Sequence, residues 1–369
     1  MPIIQSKEIP SGTKGYQMLS KIEINNFRCY KKLELKDLGR FNFIVGDNGT
    51  GKSSLLDAIY LCAGSSPEIL IRTMMWRGLV SQSGAVALST DTYKEFFSEI
   101  FHAFKTEIDV DIRFIDSYDE LRWLKITYGD QREVSLPLTS GDIGLSKTGV
   151  SPLTFKAGIG DKEIYNTTIE LADSSQVRFK SQPFPYNLSY LNALNTFAPQ
   201  NLTVGYSRID SKNRKDIIIR SVQNIFPEID DISSIYNGGT PLLGVASKYI
   251  PNKIPVGSYS AGMTKFLHII IAIENSPKNV VLIDEIDNGL YYGKIEAYMR
   301  EIVKYCERNN TQIFASTHSM EFLRTLLPIM VERSDFCLLK AERASGVSTV
   351  KVFDSKHFEA ALELGAEIR

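Results

Sequence analysis

Phe41-Asn42-Phe43-Ile44-Val45-Gly46-Asp47-Asn48-Gly49-Thr50-Gly51-Lys52-Ser53-Ser54 is the stretch on which the reading of this chain turns. A short apolar strand, Phe41 to Val45, runs straight into a glycine-rich turn, and Ser53 to Cys62 (SSLLDAIYLC) then reads as a helix. Gly46 to Ser53 fits G-x-x-x-x-G-K-[ST] in full. The glycines let the backbone curl so that successive N–H groups face one phosphate, and the helix N-terminus adds partial positive charge. Gly46, Asp47, Asn48, Gly49, Thr50, Gly51, Lys52, Ser53 and Ser54 are therefore the expected phosphate cradle. Lys52 would reach the β- and γ-phosphates of a nucleotide, and the Ser53 hydroxyl would sit on Mg²⁺.

Working outward, Asn279-Val280-Val281-Leu282-Ile283-Asp284-Glu285 is a buried strand that ends in adjacent carboxylates. Alone, an apolar run followed by Asp-Glu is common. Behind a full P-loop it reads as Walker B, with Asp284 holding Mg²⁺ and Glu285 orienting and deprotonating the attacking water. Phe314-Ala315-Ser316-Thr317-His318-Ser319 places a histidine just after another short strand, Gln312 to Ser316. By its resemblance to ABC-type ATPases, which place a switch histidine after such a strand, His318 would stand beside the γ-phosphate, whereas His102, His268 and His357 lack such a setting. Ser258-Tyr259-Ser260-Ala261-Gly262-Met263 opens a further helix. Read alone, Ser260 and Gly262 are an ordinary helix cap. Placed shortly before Walker B they match the S-x-G core of the signature motif of ABC-type ATPases, and that resemblance implies contact with the γ-phosphate held by another subunit.

These four motifs, in this order, resemble ABC-type P-loop ATPases of the SMC, RecF and OLD (overcoming lysogenization defect) branch. Ile22-Glu23-Ile24-Asn25-Asn26-Phe27-Arg28 ahead of the P-loop, Asp284 to Leu290 and Thr317-His318-Ser319-Met320-Glu321-Phe322 carry the same likeness, as does the short ending around Gly365 to Arg369. It spans residues 18–85 and 200–369, and the middle is only loosely matched. It implies an α/β fold of ABC-ATPase head type: a mixed sheet flanked by helices, with an antiparallel β insert and a helical signature lobe. It also implies a Mg²⁺-dependent ATPase that forms a homodimer or higher oligomer around ATP. Arg28 should contact nucleotide phosphates or ribose, and Gln82 is the choice for the Q-loop contact to the metal. Leu290-Tyr291-Tyr292 stands where a D-loop Asp is usual, which leaves the trans contact of that loop open.

Composition agrees with a packed soluble chain. The 369 residues are 43% apolar and 23% charged, enough to fill a core, and the net charge of −1 excludes a strongly basic nucleic-acid coat. Cys29, Cys62, Cys306 and Cys337 are scattered without a CxxC, so buried reduced thiols and a cytoplasmic location are expected. No apolar stretch approaches the roughly 18–20 residues of a membrane span.

The expected organisation is a loose tail over 1–17, an N-terminal core part with the β insert over 18–205, a helical lobe with the signature over 206–275, and a C-terminal core part over 276–369. A helix is expected over Thr92–Phe104, and another over Ser211–Phe226. Asp109-Val110-Asp111 resembles the D-x-D of a TOPRIM nuclease, but lies in an alternating strand before Walker B and reads as paired solvent-facing carboxylates. No C-terminal TOPRIM domain is expected in this chain, so a trans-acting effector such as a nuclease is the expected partner, with anti-phage defence as the expected setting. DNA stays open as a partner, and the alternative reading is a RecF-like ATP-dependent DNA clamp in repair. Lys212, Arg214, Lys215 and Arg220 form a basic run that reads as a solvated helix face, whose reversal at Lys212, Arg214 and Lys215 should spare the ATPase.

Overall fold

The computed structural model describes residues 18–77, 97–128, 132–135, 147–150, 153–171, 177–178, 188–193, 199–276 and 280–363. The chain divides into two compact units. The first comprises residues 1–37, 57–186 and 342–350. It is built on a seven-stranded antiparallel sheet of β1 (Leu19–Phe27), β2 (Tyr30–Leu35), β4 (Val110–Asp116), β5 (Leu121–Tyr128), β8 (Leu153–Ile159), β9 (Lys162–Leu171) and β10 (Val177–Arg178). The spatial order is β10-β9-β8-β5-β4-β1-β2. The expected β insert is thus a continuation of the sheet that β1 and β2 begin. Strict alternation drives it: Val110, Ile112 and Phe114 are buried, and the residues between them are not. On the outward face Asp111 pairs with Arg113 at 2.6 Å and Asp109 with Lys125 at 3.1 Å, so both carboxylates of the D-x-D are surface ion-pair members.

β6 (Arg132–Ser135) and β7 (Lys147–Val150) pair as an antiparallel two-stranded sheet. The helix expected over Thr92–Phe104 does not reach its end. Phe101 forms a β-bridge with Phe27, and His102–Phe104 is a short 3-10 turn with Ala103 at φ 51°. The beginning of that segment, and Gln82 with it, lies outside the described residues.

The second unit comprises residues 38–56, 187–341 and 351–369. Its sheet has the order β11-β15-β16-β3-β17-β18, formed by β3 (Phe41–Val45), β11 (Leu188–Leu191), β15 (Val280–Ile283), β16 (Gln312–Ser316), β17 (Phe336–Ala344) and β18 (Val347–Phe353). From β11 to β17 all neighbours are parallel. Every residue of β3, β15 and β16 is buried, as a parallel sheet covered on both faces requires. After β3 the chain enters α1 (Lys52–Gly64), whose residues from Asp57 onward belong to the first unit, as does α2 (Pro67–Trp76), N-capped by Ser66.

The 206–275 segment departs from the expected helical lobe. Helices α3 (Pro199–Asp210) and α4 (Lys215–Ile225) come first, separated by a turn in which Asn213 is left-handed (φ 55°), so the helix expected over Ser211–Phe226 is present but begins at Lys215. A three-stranded antiparallel sheet follows, β12 (Ile229–Asn237), β13 (Thr240–Ser247) and β14 (Ile250–Pro255). Its first hairpin turns at Gly238-Gly239, both at positive φ. The one-turn helix α5 (Val256–Tyr259) leads into α6 (Ala261–Asn275). The unit closes with α7 (Ile295–Asn309), α8 (Met320–Met330) and α9 (Ser355–Glu363). Phe43 anchors the core against Phe322 and Phe336, with ring centroids 6.0 and 6.1 Å away.

Cys62, Cys306 and Cys337 are buried free thiols, while Cys29 is only half-buried. Burial pushes the thiols of Cys62 and Cys306 well up, which makes them inert. Among the described residues no helix is long and apolar enough to cross a membrane.

Arg214 is no free member of a solvated basic face. It pairs at 2.5 Å with Glu274, whose side chain is 1% exposed, and Arg308 reaches the same carboxylate at 2.5 Å. Asn309 Nδ2 donates to it at 3.1 Å. Reversing Arg214 therefore strips a buried carboxylate of a partner, unlike reversing the exposed Lys212. Glu274→Gln is expected to lower the unfolding free energy by about 1.5–3 kcal/mol, the worth of hydrogen bonds to a charged group. Urea unfolding reads this directly, and an unchanged midpoint would show that the two arginines do not hold the carboxylate.

Candidate functional site

The site grows from the register of the parallel strands. Ser316 of β16 is level with Ile44 of β3, and Ala315 is level with Ile283 of β15. The segments that follow these strands, Gly46 onward, Asp284 onward and Thr317 onward, therefore leave the sheet side by side at one edge. The crevice beyond the carboxyl ends of a parallel sheet is where such folds bind ligands. Thr317 N–H donates to Ile44 O at 3.0 Å and extends the pairing past the last strand residue.

The P-loop conformation depends on glycine at Gly46. With φ at 145°, a Cβ there would fall 2.3 Å from Ala341 O and 2.8 Å from Thr50 Oγ1. Gly49 and Gly51 also hold positive φ, 79° and 108°. Thr50 Oγ1 donates to Asp47 O at 2.8 Å and braces the loop. Lys52 folds back across the turn, with Nζ donating to Gly46 O at 2.6 Å and Asp47 O at 2.9 Å. Burial lowers its pKa, and the carboxylates of Asp284, Asp47, Glu285 and Asp287 oppose that shift.

Asp284 is the meeting point. Its carboxylate is buried, and its Oδ1 accepts from Ser316 Oγ at 2.5 Å and from Ser53 Oγ at 3.2 Å. The backbone around it is fully engaged. Asp284 N–H donates to Leu191 O at 2.9 Å, Glu285 N–H to Ser316 Oγ at 2.8 Å, and Ile286 N–H to Ser316 O at 2.9 Å. Lys265 Nζ from α6 donates to Glu285 O at 3.0 Å and Asp284 O at 3.4 Å. Glu285 itself sits at φ 51°, a left-handed conformation that costs a non-glycine residue roughly 1–2 kcal/mol. Its side chain accepts from Asn288 Nδ2 at 3.4 Å.

Of the residues expected from sequence, Gly46 to Ser54, Asp284, Glu285 and His318 come together at this strand edge. His318 is exposed, two residues after Ser316. Ser260 caps α6, its Oγ accepting from Met263 N–H at 3.2 Å. Gly262 is buried, and a Cβ there would lie 2.9 Å from Tyr298 Oη and 3.0 Å from Gly289 O. Arg28 belongs to the antiparallel unit, where its guanidinium pairs with the buried Asp57, to which Arg77 also binds through Nε at 3.1 Å. His268 is buried within α6, its Nδ1 against Thr264 O at 2.9 Å, and burial lowers its pKa.

Two contributors had no role in the sequence reading. Ser316 lies inside a quoted motif but carries no motif signal of its own. Lys265 does leave a trace: a lone lysine beside Phe266 and Leu267 in an apolar helix is out of place unless something buried needs it. Among the described residues no group of three or more His, Cys, Asp or Glu forms a metal cage.

The family model described as RecF/RecN/SMC N terminal domain matches residues 18–331. An ATP/GTP phosphatase of Helicobacter pylori (strain ATCC 700392 / 26695) is 24% identical over 340 residues, 86% of this chain and 89% of that protein. The DNA replication and repair protein RecF of Actinobacillus pleuropneumoniae serotype 5b (strain L20) is 57% identical over 42 residues, 11% of this chain and 12% of that protein. Among solved structures, the SMC head domain from Thermotoga maritima aligns with a TM-score of 0.49 at 11% identity, covering 91% of this chain and 99% of that one.

Ser316→Ala removes the hydroxyl shared by the Asp284 carboxylate and the Glu285 N–H. It is expected to cost about 1–3 kcal/mol of unfolding free energy, the penalty for stranding buried polar groups. A loss below about 0.5 kcal/mol in chemical denaturation, the range of an ordinary surface change, would mean that Asp284 is held without it.

Proposed function

Since the chain belongs to the RecF/RecN/SMC N terminal domain family, we propose that it is an ABC-type ATPase that closes as a homodimer around two ATP molecules and opens on hydrolysis. The observation that carries this is Asp284 Oδ1, which gathers Ser53 from the P-loop helix and Ser316 from the strand before His318. This supports reading the P-loop and Walker B as one site, with His318 two residues beyond Ser316 as its switch histidine.

In this mechanism the P-loop turn and the first turn of α1 bind the β- and γ-phosphates through backbone N–H groups. Lys52 exchanges the carbonyls of Gly46 and Asp47 for phosphate oxygens. Glu285 orients the attacking water and takes its proton, and His318 stands by the γ-phosphate. Ser260 and Gly262 of one subunit face the ATP held by the other, so neither half-site is complete alone. Arg28 is assigned to the nucleotide and Gln82 to the Q-loop on resemblance. Ser53 and Asp284 supply the hard oxygen donors that suit Mg²⁺, and a bound Mg²⁺ neutralises charge on the β- and γ-phosphates. The remaining work is positioning and charge stabilisation by the chain itself.

The load on this cycle is proposed to be a DNA-linked process or a separate effector such as a nuclease, in the cytoplasm, with anti-phage defence as the setting. The stretch shared with RecF supports the DNA link. The likeness of Thr317 to Phe322 to the OLD branch supports the effector.

Wild type and Glu285→Gln should be compared for mass in solution with and without Mg·ATP. The variant is expected to become a stable ATP-dependent dimer while wild type hydrolyses ATP and returns to its starting mass. No change of mass in either protein, together with no ATPase activity in wild type, would sink the proposal. If DNA is the load, binding requires ATP and weakens steeply as salt rises. Equal DNA binding without nucleotide would remove the ATP link.

A further inference from the structure

Helix α6 is buried along almost its whole length, yet Lys265 inside it is 1% exposed. Burying an ammonium costs several kcal/mol, and packing alone would be met by Met or Leu at this position. The charge is spent on backbone carbonyls. Nζ donates to Glu285 O at 3.0 Å and Asp284 O at 3.4 Å, with the carboxylates of Asp284, Asp287 and Glu285 around it. The peptide it grips belongs to the left-handed residue Glu285, whose conformation needs outside support. The same helix also touches the chain beyond Glu285. Gly262, in its first turn, packs so closely on Gly289 O that a Cβ would come within 3.0 Å. The start of α6 therefore brackets the Walker B segment, at Asp284-Glu285 on one side and Gly289 on the other.

We propose that Lys265 is a positioning residue that couples the Ser260–Gly262 helix start to Glu285. This rests on the reading above, in which Glu285 activates water and the helix start faces a phosphate. Lys265 touches no reacting atom. A phosphate engaged at Ser260 and Gly262 displaces the first turns of α6, and Lys265 carries the Glu285 peptide with them. Glu285 is aligned only when the helix start is occupied, so hydrolysis waits for the second subunit. A single rigid hydrogen-bonded link suffices, because a misplacement of about 1 Å can cost about 100-fold in rate.

The test compares wild type, Lys265→Met and Lys265→Arg for thermal unfolding, ATP affinity and steady-state turnover. Met matches the length of the lysine stem without its donors, and Arg restores charge and donors. Lys265→Met is expected to bind ATP with a Kd within about threefold of wild type and to lose about 100-fold in kcat with KM little changed. Lys265→Arg is expected to recover most of that loss. If Lys265→Met shows no cooperative unfolding, Lys265→Gln, which keeps an N–H donor, is measured against the same criteria. The proposal is overturned if the neutral variant keeps kcat within about threefold of wild type, or if ATP affinity falls in parallel with kcat, as a merely structural role predicts. Failure of the functional reading is distinct, because wild type itself would then neither bind nor turn over ATP.

Discussion

A carboxylate at the end of a fully buried strand must find donors where water cannot reach, and Asp284 sets this condition for its unit. Its Oδ1 is met by hydroxyls from Ser53 and Ser316, which sit on different elements. Both can arrive only if β3, β15 and β16 run parallel in the observed register, since a slip of one residue would turn Ser316 to the opposite face. The parallel order is thus coupled to the chemistry. The strand arrangement that buries Phe43, Leu282 and Phe314 also brings the P-loop helix and the Walker B tip onto one oxygen.

Glu285 shows how the same edge handles strain. A strand that continued straight would carry Glu285 onward along the strand axis, away from the Ser316 hydroxyl. The left-handed turn at φ 51° ends the strand at Ile283 and redirects the chain. Ser316 then serves twice, its hydroxyl accepting from Glu285 N–H and its carbonyl from Ile286 N–H. Those bonds and the Lys265 contacts hold the conformation, so the local cost of roughly 1–2 kcal/mol is offset by neighbours rather than relieved.

The legible parts of the sequence were those whose physics is local. A glycine-rich turn between strand and helix, and Asp-Glu after an apolar run, need only consecutive residues, and the structure places both where they were read. Alternation over Ile22–Phe27, Glu107–Ile115, Leu121–Thr127 and Glu163–Leu171 is likewise legible as strands, and β1, β4, β5 and β9 occupy those stretches within a few residues. The three-stranded sheet of β12, β13 and β14 was missed although Asn237-Gly238-Gly239-Thr240 is a hairpin signal, because its burial is uneven and β14 is almost entirely half-buried or exposed. The strand β11 is four half-buried residues that gain their identity only by pairing with β15. Arg214 and Glu274 lie far apart in sequence, so no window reveals that one neutralises the other. Lys265 and Ser316 share this difficulty, since each acts through a partner supplied by a different element.

Lys52 and Lys265 feel the same small group of carboxylates, yet they rest on different backbone carbonyls. Both are buried, both have their pKa lowered by burial, and Asp284, Glu285 and Asp287 act on both. Lys52 rests on the carbonyls of a glycine-rich turn, which in the proposed mechanism it exchanges for phosphate oxygens. Lys265 rests on the carbonyls of the Walker B tip, where Asp284 N–H and Glu285 N–H are already committed to Leu191 O and Ser316 Oγ. An anion approaching Lys265 would find no further backbone donors from those two residues. In the proposed mechanism one lysine changes partners and the other keeps them. That difference follows from the hydrogen-bonding state of the backbone beneath each ammonium rather than from the side chains themselves.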